Sequence, residues 1–514
     1  MRRIITNILI VTFSLIIAGH VTAQNPNNAL LYSSQATLFG DQGSASDPLS
    51  IIMPGTAFKS GFGAFIDNPA SMALHRRNFG EFGFSYRTVE EDAVFMGQQR
   101  LLDDSQRGIS SAGFLYALPT DQGSLVFGAG YTQHSIYNRA LAFRARNENS
   151  TITDMFKFDG SPYQDIAFNT FATDFGDEFE DWDESILRIG FDRYGDYLGM
   201  RQQGEIFQRG YSGEYSMFFA TEFQENLMIG GSIGLLSGRY RYNRVFQEVD
   251  EFNDYNSTII DSNDDGIGDT DIDNILLDDR VSSSFAGFRA RAGILYKISD
   301  HFQAGASFTF PTTIEVNELF DANLRTTFNN GVEFSDLTDS EFSYKVKYPS
   351  RTSLGFGIVN LSGLSASLSA DYVDYSKTRV DYGSSEFFED ELAENDFLES
   401  EFRSVWSFRG GISYDLSPDF SLRAGYSYLP GRFLNGNEDR SVYALGAGFS
   451  LSRNLRLEFA AQYTEWNEIS AVYEYARYNY SSLPDNLPAM SFSSEDANRS
   501  AERIQILGTI KFSF

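Results

Sequence analysis

From residue 81 onward the chain falls into runs in which apolar and polar residues alternate with period two, the mark of strands with two unlike faces. The final run shows it most clearly. Ile504, Ile506, Gly508, Ile510, Phe512 and Phe514 fall on one side, while Arg503, Gln505, Thr509, Lys511 and Ser513 fall mostly on the other. A chain that ends within such a strand, on an aromatic residue, reads as the closing strand of a membrane barrel, apolar side to lipid and polar side to lumen. As the edge of a soluble sheet the same strand would invite aggregation.

The same rule predicts fourteen strands, at 81–89, 109–118, 123–134, 212–223, 227–242, 285–298, 302–316, 342–359, 363–377, 402–416, 420–430, 440–452, 454–468 and 500–514. Short connections such as Pro119–Gln122, Gln224–Asn226 and Ser417–Asp419 alternate with long ones at 90–108, 135–211, 243–284, 317–341, 378–401, 431–439 and 469–499. That alternation is expected of an outer-membrane barrel with periplasmic turns on one rim and extracellular loops on the other. With an even strand count, both termini fall on the periplasmic side. The fold class is therefore all-β, a transmembrane antiparallel barrel of about 14 strands spanning 81–514.

The amino terminus agrees on compartment. Arg2 and Arg3, an apolar run from Ile4 to Ala18, and Val21-Thr22-Ala23 before Gln24 read as a secretory signal over residues 1–23, too short to be a membrane helix. The sequence has no cysteine, which removes disulfides, thiolate metal sites and a lipidated amino terminus. A hydrophobic fraction of 42% and mean hydropathy of −0.28 are ordinary, but 47 Phe and 28 Tyr are many, as aromatic girdles at two membrane interfaces require. The net charge of −30 gathers in blocks: twelve acids against one Arg between Val245 and Ser283, and nine acids against no base between Val380 and Glu401. Such blocks read as solvated loops and argue against a nucleic-acid partner. The expected surroundings are outer-membrane lipid, with the chain a monomer in the outer membrane of a Gram-negative bacterium.

Residues 24–80 do not alternate, and Phe62, Phe65, Ile66, Met72 and Leu74 among them call for burial. The stretch Gly61-Phe-Gly-Ala-Phe-Ile-Asp-Asn-Pro-Ala-Ser-Met-Ala-Leu74 resembles the Asn-Pro-Ala segment in the amino-terminal hatch of the FadL/TodX outer-membrane transporters of hydrophobic compounds. Ala292 to Pro311, Tyr348 to Gly355, Ala370 to Ser376, Phe408 to Tyr414 and Leu422 to Tyr428 resemble that family's strand, turn and proline patterns. The resemblance covers the hatch and roughly the carboxy-terminal half; region 135–284 has no counterpart. It implies a fourteen-stranded barrel whose lumen holds residues 24–80 as a hatch. It further implies capture of substrate among extracellular loops and sideways release into the bilayer where the hatch and a kinked third strand permit.

Candidate functional residues follow. Asn68, Pro69 and Ala70 match the hatch motif, where Pro69 fixes its own φ and keeps Asn68 out of helix. Asp261, Asn263, Asp265 and Asp269 stand at positions 1, 3, 5 and 9 of a calcium-type loop with Gly266 at 6, although position 12 is Ile272; a solvated acidic tip has the same composition. No other cofactor is required. Over 183–200, Leu187, Phe191, Tyr194 and Leu198 share one face at helical spacing, which predicts a helix that either packs in the loop or lines a greasy capture groove. Counting parity from outward Phe288, Ala290 and Ala292 turns Arg289, Arg291, Lys345, Lys347, Arg403, Arg409, Arg423 and Arg456 inward. An inward Arg offers a fork to a fatty-acid carboxylate, or pairs with inward acids such as Asp371 and Glu458.

Three histidines lie outside the leader, His75, His134 and His301, and there is no nucleophile elbow or phosphate loop, so no enzyme activity is expected. Two functions compete: a passive channel for hydrophobic small molecules such as long-chain fatty acids or hydrocarbons, and a barrel serving as docking or shuttle subunit for secreted proteins. A greasy path from loops to lumen favours the first. A filled lumen favours the second.

Overall fold

The alternating runs become strands, each of which pairs with both neighbours over at least part of its length. The computed structural model describes Phe39 and residues 47–514 except 158–160, 177–181, 191–194, 264, 386, 437 and 480–488; the leader lies outside the described residues. Fourteen antiparallel strands close the barrel. They are β1 (Phe79–Phe95), β2 (Gln98–Leu118), β3 (Leu125–Ile136, continued as Arg139–Asn147), β4 (Met200–Gln224), β5 (Leu227–Val249), β6 (Ile272–Lys297) and β7 (Phe302–Thr309, continued as Thr312–Phe328). They continue with β8 (Glu333–Tyr348, continued as Arg351–Leu361), β9 (Leu364–Asp374), β10 (Ser404–Ser417), β11 (Phe420–Leu429), β12 (Arg440–Ser450), β13 (Leu455–Asn479) and β14 (Ala489–Ser513). Each pairs with the next, and β14 pairs with β1 from Phe79 opposite Ser513 to Phe95 opposite Ala497. No sheet edge is left at that seam, as a bilayer demands.

The strands outrun their predicted ends. The expected loop at 90–108 is strand apart from Met96 and Gly97, whose positive φ of 47° and 76° makes a two-residue hairpin turn. The expected loop at 317–341 shrinks to residues 329–332, and strand also occupies much of 469–499. At roughly 3.3 Å per residue, the 26 residues of β6 far exceed the ~10 needed to cross a bilayer. The excess rises above an outward apolar band that includes Phe84, Phe288, Ile412 and Phe512. There the outward positions turn polar, so alternation fades while the ladder continues. The region 135–211 likewise holds the second half of β3 and the start of β4.

Two further expectations are corrected. Residues 183–200 do not form one helix: Asp183–Ser185 is a strand paired with Thr173–Phe175, and Ile186–Arg188 is a single 3-10 turn capped by Ser185. Leu187 is fully buried whereas Leu198 is 40% exposed, so they share no face; Phe191 and Tyr194 lie outside the described residues. What holds this segment is polar, since Arg188 reaches back to Asp154 at 2.6 Å. Lys345 and Lys347 point outward, with Tyr344, Val346 and Tyr348 buried between them. Pro349 and Ser350 interrupt β8 and invert its parity, so a count carried through them from Arg351 fails.

The end of the lumen bearing the short turns is filled by residues 47–78. Ile52 lies against Gly411 and Gly446, Thr56 against Gly305, Phe62 against Gly113 and Gly130, and Ala70 against Gly230. A segment touching β2, β3, β5, β7, β10 and β12 together can only lie inside the barrel. At the opposite end, Ile152, Phe156, Tyr163, Ile166 and Leu187 from the β3–β4 connection pack with inward Phe95, Phe143, Phe246, Leu277, Leu324 and Tyr473 in one large apolar cluster.

Candidate functional site: a plugged lumen with an interrupted wall

The plug is fastened at its turn. Gly63 precedes a single helical turn, Ala64–Asp67; Asn68 then takes ψ 108°, extended as a residue before proline must be, and Pro69–Leu74 forms a 3-10 helix. The Asn68 side chain accepts from the Ala70 amide at 3.0 Å and donates to the carbonyls of Thr56 at 2.7 Å and of Ile294, on β6, at 2.8 Å. The motif thus ties two plug segments to the wall. Asp67, which the motif did not single out, accepts from Gly55 N at 2.8 Å and from Arg409 at 2.7 Å, with Arg351 at 3.5 Å. Phe62, Phe65, Ile66, Met72 and Leu74 are all buried.

The inward arginines are held in ion clusters. Arg291 grips Glu214 of β4 through both nitrogens at 2.7 and 2.8 Å, and His134 reaches the same carboxylate at 3.0 Å. Arg289 shares it more distantly, at 3.6 Å, and donates to Thr312. Arg409 spans Asp67 and Asp371, and Arg423 pairs with Glu458, which Arg456 also holds at 2.6 Å. Arg403 donates to the Gly431 carbonyl and lies 3.9 Å from Asp439. Such desolvated charges need these partners, because an unpaired one is costly. Neither Glu214 nor Asp67 was legible as a partner in sequence, since Glu214 sits two strands from Arg291 and Asp67 lies on the plug.

The wall is interrupted at β3. Its first half pairs with β2 over Ser111–Leu118 and with β4, but after Tyr137 and Asn138 its second half pairs with β4 alone. Arg139 there bonds Glu91 of β1 and Glu468 of β13, each at 2.6 Å, and the Ala140 amide also donates to Glu91. The second half of β3 therefore leans across the lumen side of β1. Among the described residues Gln98–Ser110 of β2 has a ladder partner only in β1, and what crosses to it is sparse: Arg209 to Asp104 at 2.7 Å and Asn138 to the Asp104 carbonyl.

In the β3–β4 connection Asp154, Lys157, Glu184 and Arg188 form a buried ion cluster. Burial alone would raise Asp154, yet Lys157 and Arg188 beside it hold its carboxyl below the usual range. In the 261–269 loop Asp261 accepts from the amides of Asn263, Asp265 and Gly266, and Asp269 accepts from Ser262. Among the described residues no three acidic or histidine side chains converge as metal ligands would.

The chain is similar to known transporters. It matches 12% of residues with the toluene transporter TodX of P. putida (92% of this chain and 99% of that one, TM-score 0.49) and 15% with the Ralstonia pickettii toluene transporter TbuX (93% and 100%, 0.48). It also matches a Pseudomonas aeruginosa FadL homologue at 12% (91% and 98%, 0.48). No curated protein matches it in sequence. Residues 229–484 match the family model described as outer membrane protein transport protein (OMPP1/FadL/TodX). With fourteen strands closed around a plug tied down at Asn68-Pro69-Ala70, this chain belongs to that family of Gram-negative outer-membrane transport proteins.

Proposed function

We propose that this protein is a passive channel admitting hydrophobic small molecules, such as long-chain fatty acids or hydrocarbons, and releasing them sideways beside β3. One observation carries the reading. The axial way is stopped by a plug bonded to the wall, whereas the wall itself lacks a hydrogen-bond ladder between Gln98–Ser110 and β3. An apolar solute loses nothing by crossing a gap into lipid, while a polar solute gains no exit there. Toluene, the cargo named for TodX and TbuX, is one candidate. Arg289, whose nearest carboxylate oxygen is 3.6 Å away, is the lumen arginine proposed to meet a fatty-acid headgroup.

The docking reading has its own support in the apolar packing that fills the upper barrel around Phe156 and Leu187. One experiment separates the two. Asn68→Ala with Pro69→Gly should change uptake of labelled palmitate and toluene while strand content by circular dichroism stays constant. Intact barrels with no uptake in either form, despite surface expression and a working downstream pathway, would favour docking.

A further inference from the structure

Above the bilayer one strand edge is left open. The upper half of β8, Glu333–Tyr348, pairs with β7 along its length, but β9 pairs only with the lower half, from Arg351 to Leu361. On that side the upper half meets Arg379–Asp381, three residues of the β9–β10 connection, which lie opposite Lys345–Lys347. The chain then turns away at Gly383, whose φ is 69°. Among the described residues Glu333–Ser343 therefore has a strand on one side only, and alternate residues leave their amides and carbonyls without a ladder partner. The Leu337 amide bonds the carboxylate of its own neighbour, Asp336, at 2.8 Å.

This edge is held rigid from behind. Phe334 packs on Phe171 and Phe328 with ring centroids 4.9 and 5.8 Å apart, and Asn169, at the end of the short helix Gln164–Asn169, donates to Asp336 at 2.7 Å. Lower down, Phe342 packs on Tyr382 and Phe387 at 5.4 and 5.5 Å. A strand already fixed in extended form loses little freedom when another is laid beside it.

The charge on the edge selects what can lie there. Between Glu333 and Ser343 stand four acids, Glu333, Asp336, Asp339 and Glu341, and no base. On the outward face Asp339 is directly opposite Asp321 of β7, a like-charge pairing that costs stability, and the base on β7, Arg325, stands opposite Ser335 instead. A second copy of this chain would bring the same acids to the same edge and be repelled. Leu337, 68% exposed between Ser335 and Asp339, adds an apolar step to the same face.

We propose that Glu333–Ser343 is a docking edge at the cell surface for an extended, cationic segment of another protein, which adds one strand to β8 with Lys or Arg beside Asp339 and Glu341. Backbone pairing supplies the hold and the acids supply the choice of partner. The strand Arg379–Asp381 already occupies the lower end of this edge in the same way, so the added strand continues a pairing that the chain itself begins.

The test uses the full chain in detergent micelles and a fluorescein-labelled peptide alternating lysine and valine over about ten residues, enough to span the open stretch. Its fluorescence anisotropy should rise saturably, and hydrogen exchange should slow in fragments covering 333–343. A fully N-methylated counterpart keeps the side chains and charge but has no amide to donate, and should bind at least about tenfold more weakly. Asp339→Asn with Glu341→Gln should weaken the unmodified peptide roughly two- to thirtyfold in protein whose heat-modifiability is unchanged. Equal binding by the methylated peptide, or protection away from 333–343, overturns strand pairing at this edge. Affinity indifferent to the neutral variant, or matched by a glutamate and valine peptide, overturns the cationic partner. Cross-linking between copies through Ser335→Cys makes a second copy the occupant and overturns the proposal too, as does the absence of saturable binding.

Discussion

Gly293→Ala should loosen the plug while leaving the barrel closed. Gly293 faces the lumen on β6, opposite Gly230 of β5 and Ser307 of β7. A Cβ there would come 1.9 Å from Oδ1 of Asn68 and 3.2 Å from Cδ of Pro69, so the Asn68 side chain must withdraw. Its bonds to the Thr56 and Ile294 carbonyls and from the Ala70 amide, at 2.7, 2.8 and 3.0 Å, go with it. At about 0.5–1.5 kcal/mol each, the three together contribute roughly 2–4 kcal/mol to docking. That corresponds to a 30- to 1,000-fold rise, in round terms, in the opening equilibrium. The barrel ladder is untouched because alanine keeps both backbone groups of β6 paired. Hydrogen exchange by mass spectrometry should show the loss of protection in peptides covering 55–72 and none in β6 or β14. Gly231→Ala is the control: it sits on the outward side of β5, where the nearest atom is a Phe219 ring carbon at 3.1 Å. Protection of 55–72 within about twofold of wild type would refute the reasoning, since even one lost bond exceeds that.

Deleting Lys511–Phe514 removes the partners of Glu81, Gly80 and Phe79 at the seam, and heat-modifiable barrel should disappear from outer-membrane fractions; normal assembly would end the closing-strand assignment. Asp104→Ala frees the Arg209 contact that crosses from β4 to β2, a partly exposed pair worth about 0.5–1 kcal/mol, and uptake of labelled toluene should rise roughly two- to fivefold if exit lies there. Glu394, in the loop helix Phe388–Glu401, is buried, with both carboxylate oxygens lacking a hydrogen-bond partner among the described residues; burial lifts its carboxyl from 4.5 to about 7. Its docked form prefers the protonated acid, so helix docking should be strongest below pH 4.5 and weaken as pH rises to about 7. Protease cleavage within 388–401 should increase across that window in wild type and not in Glu394→Gln.

Period-two alternation carried the strand number and closure because lipid imposes one apolar face on every crossing strand. It did not carry strand length, since above the bilayer the outward face turns polar: Asp321 and Asp339 are opposed, outward-facing neighbours in the parts of β7 and β8 expected to be loop. Parity found inward Arg289, Arg291, Arg409 and Arg423 but misplaced Lys345 and Lys347, because nothing in a parity count registers the break at Pro349. The helix expected over 183–200 gave way to a buried ion cluster whose members, Asp154 and Lys157, lie more than twenty residues earlier. The plug's fit was written into the barrel in glycines such as Gly293 and Gly305, a signal available in sequence and recognisable once inward parity is known.

The breaks in β7 and β8 stand at the same height. Thr309 faces Arg351 below them and Thr312 faces Tyr348 above them, with two residues skipped in each strand, so the hairpin stays in register with itself while both its faces are exchanged. Against continuous β6, however, β7 gains one residue, with Thr309 opposite Arg291 and Thr313 opposite Phe288. The segment from Thr312 to Tyr348 is therefore inherited as one block. Losing a single residue at Pro311 or Ser350 alone would turn half of that hairpin inside out, setting Glu315 or Lys345 and Lys347 in the greasy interior. Only paired insertions or deletions, one in each strand, keep the hairpin matched to itself, which limits how this stretch of wall can change length through evolution.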